Sequence, residues 1–156
     1  MTTLSANQHI ASEFSSSPRA VVAPGTDAPS KAQRIAGRSL TGLAAAFLFM
    51  DAIMKLVLIQ PVVDGSRELG YPVHTMLGIG AVLLVATLLY VIPRTAVLGA
   101  VLLTGYLGGA IATHVRVEHP LFSHTLFPLY VAALIWGGLF LRDTRLRAFL
   151  PWQSAQ

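Results

Sequence analysis

An all-α fold, a membrane four-helix bundle running up-down-up-down with both ends on the cytoplasmic side, is what this sequence predicts. Three observations carry that expectation. Mean hydropathy is +0.63, with 54% apolar and only 12% charged residues among 156, a balance outside the soluble range. Four apolar runs each approach the roughly 20 residues that a hydrocarbon core about 30 Å thick demands of a helix. From Leu40 onward those runs lack the polar stripe, recurring every third or fourth residue, that a water-facing helix needs.

Residues 1–36 are rich in Ser, Thr, Ala and Pro, with turn formers at Pro24-Gly25 and Ala28-Pro29, and are expected to form a disordered cytoplasmic tail. A secretory leader is not expected, because the first long apolar run begins near residue 40. The transmembrane domain is expected over residues 37–150, with spans at about 40–59, 73–92, 96–114 and 122–141, and a C-terminal tail over 151–156. Pro61 closes the first span, Pro72 and Pro93 bracket the second, and Thr95 is placed to cap the third. Pro93-Arg94 is nearly the whole connection between the second and third spans, so these two should form an antiparallel hairpin.

Alternating crossings would place Arg19, Lys31, Arg34, Arg38, Arg94, Arg142, Arg145 and Arg147 on one side, and only Arg67 and Arg116 on the other. The Arg-rich side is therefore assigned to the cytoplasm, and a bacterial inner membrane is the expected location. The net charge of +4 and the pI near 10 reflect these short flanking segments; with no long basic stripe, no nucleic-acid partner is expected. Tyr71, Tyr90 and Trp152 fall near the membrane interfaces, and residues 142–150 read as an amphipathic surface helix. The connection from residue 62 to 70 is placed in the same way on the outer side. Gly105 and Gly109, with Gly108 beside them, and Gly137-Gly138 are small residues expected to let helices of the bundle approach closely. The absence of cysteine removes disulfides, thiolate metal sites and CxxC redox chemistry.

The polar residues that matter most are those a membrane resists. Asp51 and Lys55, four apart on the first span, share a helix face, and each alone would cost about 2.5–3.5 kcal/mol at mid-helix. They admit two readings: a structural ion pair with Lys55 reaching outward, or a polar site beside a wet cavity. His74, His114, His119 and His124 are all expected on the outer side. His114 and Arg116 fall at the depth of Asp51 and Lys55, which makes the four a candidate catalytic pocket. In it, Arg116 could hold a carboxylate, a phosphate or a quinone oxygen, or equally contact lipid headgroups. A metal site drawn from the histidines and Glu118 lacks a recognised ligand spacing, so no metal is assigned. Tyr106 and Tyr130, with His74, are secondary candidates for substrate binding, and Thr104 for cross-helix hydrogen bonding.

Several segments together carry a resemblance over residues 38–151. They are Phe47-Leu48-Phe49-Met50-Asp51-Ala52-Ile53-Met54-Lys55-Leu56, Glu68-Leu69-Gly70-Tyr71-Pro72, Tyr90-Val91-Ile92-Pro93-Arg94-Thr95, Leu103-Thr104-Gly105-Tyr106-Leu107-Gly108-Gly109-Ala110 and His114-Val115-Arg116. The chain resembles the DoxX-like family of small four-helix membrane proteins. That resemblance implies kinship with membrane bundles that do redox or quinone-linked work near the extracytoplasmic face, often beside partner proteins. The thiol chemistry of the vitamin K epoxide reductase relatives does not carry over to a chain without cysteine. Three functions are weighed: a membrane subunit of a redox or quinone-linked system, with quinone as the implied cofactor; a non-catalytic scaffold or anchor for a partner protein; and a proton or small-solute transporter. The lipid bilayer is a partner in each, and the oligomeric state is left open.

Overall fold

The computed structural model describes residues 30–143 and Leu146, and every regular element among them is helical. The helices are α1 (Lys31–Val57), α2 (Gln60–Glu68), α3 (Thr75–Val91), α4 (Ala96–Arg116) and α5 (Phe127–Arg142), with a π-helical turn at Leu121–Thr125 leading into α5. Helix α1 starts well upstream of the apolar run at Leu40 because Ser30 and Gln33 form a reciprocal cap. The Ser30 hydroxyl accepts the Gln33 N–H at 3.2 Å, and the Gln33 side chain accepts the Ser30 N–H at 2.9 Å. The helix ends where Leu58 turns left-handed, with φ of 53°. Pro61 then sits in the first turn of α2, where its missing N–H costs no hydrogen bond. The rest of the expected tail, Trp152, the 151–156 segment and the amphipathic stretch past Asp143 other than Leu146 lie outside the described residues.

Helix α1, helix α4 and the unit Leu121–Arg142 are long and apolar enough to cross a membrane, whereas α3 is equally apolar but has 17 residues. Its shortness has a local cause at each end. Thr75 and Met76 donate to the carbonyls of Pro72 and Val73 in a turn before the helix begins, and Ile92 leaves it in an extended conformation because Pro93 follows. At 1.5 Å per residue, α3 is about 25 Å long.

The long helices close a ring: α1 packs on α3 and α5, and α4 packs on the same two. Leu48, Leu83, Leu103, Ile135 and Leu139 fill the centre, while Leu43, Ile53, Val82, Val85, Val101 and Leu129 project outward. Such an outer surface suits lipid, which imposes no penalty on exposed apolar side chains.

The closest approaches are made at glycines. A methyl group on Gly99 would sit 2.2 Å from the Tyr90 backbone nitrogen, and one on Gly80 would sit 2.9 Å from Lys55 Cβ. Gly37 and Gly138 bring α1 and α5 together, each with its missing Cβ about 3 Å from the other's carbonyl oxygen. Gly105, Gly108, Gly109 and Gly137, expected at contacts, face open space instead, with nothing within 4 Å of a built Cβ. The GxxxG motif thus marks a gap between helices, not a seam. Tyr90 also departs from expectation. It is fully buried, its phenol donating to the Ile135 carbonyl at 3.0 Å with the Thr41 hydroxyl 3.3 Å from the phenol oxygen. Arg142 donates to the Tyr90 carbonyl at 3.1 Å and lies 5.4 Å from the ring centroid, so a residue expected at the wet interface anchors the Arg-rich end of the core.

Candidate functional site

The gap beside Gly105 and Gly109 opens into a cavity of about 370 Å³ bounded by α1, α3, α4 and the α2–α3 connection. Gly105, Gly109 and Thr113 recur every fourth residue of α4, so one face of that helix supplies a floor almost without side chains. Met76 and Ile79 of α3 make an apolar wall, and Lys55, Tyr106, Tyr71 and His114 place polar atoms around it. Apolar walls with a few convergent polar groups are the usual make-up of a small-molecule site.

At one side of the cavity Lys55 donates through Nζ to Asp51 Oδ1, and the two side chains are 18% and 23% exposed. The one-turn spacing places both on the same face of α1. Lys55 lines the cavity, Asp51 lies outside its lining, and Tyr106 lines it from α4. The charges that lipid would reject are thereby held by one another.

At the other side His114 lines the cavity and meets a cluster of rings. Its Nδ1 lies 2.9 Å from His119 Nδ1, so one ring carries the shared proton and the other accepts it. His119 Nε2 lies 3.3 Å from Glu68 Oε1, and His124 Nδ1 is 2.8 Å from Ser123 Oγ. The centroids of His114, His119 and His124 are 5.1–6.0 Å apart. Among the described residues no group of three or more His, Asp or Glu is arranged to hold a metal ion.

The remaining candidates are placed differently. Arg116 lies outside the cavity lining. It donates to the Leu69 carbonyl and sits 5.8 Å from the Tyr71 ring centroid, while Tyr71 and Thr113 share a 3.0 Å hydrogen bond between their hydroxyls. Together these contacts hold the α2–α3 connection against the end of α4, around the left-handed Gly70 with φ of 72°. His74 is exposed at the start of α3 and Tyr130 is 51% exposed on α5, both off the cavity. Thr104 accepts the Trp136 indole N–H at 2.9 Å, linking α4 to α5. The structure therefore gathers Asp51, Lys55, Tyr106 and His114, sets Arg116 beside them as a clasp, and leaves His74 and Tyr130 apart. It adds Tyr71, Thr113 and the glycine floor. The four-residue recurrence of Gly105, Gly109 and Thr113 was the signal that could have revealed them.

No curated protein and no solved structure matches the chain. Residues 39–138 match the family model of the DoxX-like family, from α1 through most of α5. With well over half its length matched and its apolar helices packed as a bundle, the chain belongs to the DoxX-like family and is a multi-pass integral membrane protein.

Proposed function

We propose that this protein binds a lipophilic molecule bearing a hydrogen-bond-accepting head, of which a quinone is the type, as a membrane subunit of a redox or quinone-linked system. The observation that carries the reading is the cavity itself: apolar along α3, free of side chains along Gly105 and Gly109, and edged by Lys55, Tyr106 and His114. An ammonium has three N–H bonds, and Lys55 uses one on Asp51, so others can meet a carbonyl oxygen in the cavity. Asp51 acts as a positioning residue that keeps Lys55 in place, and His114 supplies an imidazole at the cavity edge whose nitrogens can donate or accept a hydrogen bond.

The reading includes a topology. Helix α3, though shorter, crosses as a fourth span within the tolerance of a locally thinned bilayer, giving an up-down-up-down bundle with both ends cytoplasmic, in a bacterial inner membrane. The excess of Arg at one end supports that orientation. The cavity then faces the extracytoplasmic leaflet, where a quinone head group can enter from lipid.

Mass spectrometry of lipid extracts from protein purified in mild detergent tests this. A retained quinone or other lipophile is expected, depleted at least several-fold in Lys55→Met. An empty wild-type bundle, or equal retention in the variant, removes the reading. One observation favours a second reading, a scaffold for a partner protein: Asp51 and Lys55 satisfy each other without a ligand. Co-purification of a partner unchanged by Lys55→Met, from protein that retains no lipophile, would select it.

A further inference from the structure

At the end of the molecule away from the cavity just described, a second cleft of about 300 Å³ is walled by Arg34 and Arg38 of α1, Pro93 and Ala96 at the α3–α4 turn, and Arg142 and Asp143 at the end of α5. Arg34 and Arg38 are one turn apart, so their guanidiniums extend from the same face of α1 and repel each other. Arg142 reaches the cleft from across the bundle and is held by the Tyr90 carbonyl and ring. Among the described residues neither Arg34 nor Arg38 makes an ion pair, and the wall carries three guanidiniums against the single Asp143 carboxylate. Ala96 opens α4 there without a side-chain hydrogen bond at its cap, which adds the positive end of a helix dipole to the same wall. Like charges drawn into one concavity from two helices are stabilised when an anion lies between them.

We propose that this cleft binds a phosphate group, either the phosphodiester of an anionic lipid headgroup or free phosphate. The guanidinium fork suits phosphate oxygens in both cases, and the placement at the Arg-rich end of apolar helices brings lipid headgroups within reach. The site is independent of the ligand assigned to the cavity near Lys55.

The test uses the full chain in detergent and three probes: phosphatidylglycerol, phosphatidylcholine and inorganic phosphate, with binding read by native mass spectrometry and by thermal stabilisation. Wild-type protein is expected to retain phosphatidylglycerol over phosphatidylcholine, and the R34Q/R38Q double variant to bind it about tenfold more weakly. R94Q removes a charge at the same end but outside the cleft and should bind as wild type does. Competition by millimolar inorganic phosphate supports the free anion as the source; its failure to compete supports the lipid. Equal binding of the two lipids, or a loss in R94Q as large as in the double variant, overturns the proposal. Arg34 and Arg38 are exposed and Gln preserves helix propensity, so the unliganded melting temperature should not move and provides the folding control.

Discussion

Gly99 and Gly105 stand on the same helix and do opposite things. At Gly99, α4 presses on the backbone of α3 so closely that no side chain fits, whereas at Gly105, nearly two turns on, nothing approaches within 4 Å. Around the first, Tyr90, Thr41, Ile135 and Arg142 lock helices α1, α3 and α5 through buried and half-buried hydrogen bonds. Around the second the bundle parts, and the polar side chains of Lys55, Tyr106 and His114 edge the opening. The helices touch at the first position and part at the second, and the sequence uses one residue type for both.

The contrast is broken most severely at its tight end. Gly99→Ala puts a methyl group into backbone that has nowhere to move, and should cost about 3 kcal/mol, read as a lower midpoint in denaturant titration of detergent-solubilised protein. A loss no greater than that from the same change at Gly105 would contradict the packing described here. Next in size is Asp51→Ala, which strands Lys55 among apolar helices and should cost about 2 kcal/mol. Pairing it with Lys55→Met should restore most of that stability, because removing both charges leaves nothing unpaired. If the double variant is as unstable as the single one, the pair is not what the stability depends on. Tyr90→Phe should cost about 1 kcal/mol, since the Ile135 carbonyl loses its phenol donor inside the core.

Much of this was legible in the sequence, and what was not has a common cause. Apolar runs bounded by Pro61, Pro72 and Pro93 predicted α1, α3 and α4 within a few residues at most ends, because length and breakers are local properties. The Asp51–Lys55 pair was equally legible, as a one-turn spacing needs no tertiary information. The start of α1 was missed because the Ser30–Gln33 cap extends it through a polar segment. Tyr90 was misread because burial depends on which neighbours close over it, and the roles of Gly105 and Gly99 are indistinguishable until the partner helix is in place. Arg116 is a pocket candidate by sequence position, but its side chain turns onto the Leu69 carbonyl, which no spacing rule reports.

The smallest predicted change in stability is the one that bears most directly on function. Gly105→Ala fills empty space, so it should leave stability within about 0.5 kcal/mol of wild type, and the helix propensity of Ala offsets what little contact it adds. Gly109→Leu should likewise fold, yet its side chain would occupy the volume that Lys55, Tyr106 and His114 border. A folded Gly109→Leu protein that has lost its retained lipophile ties the opening to binding. If that variant keeps the lipophile at wild-type occupancy, the ligand sits elsewhere, and the parting of the helices at Gly105 and Gly109 reflects packing alone.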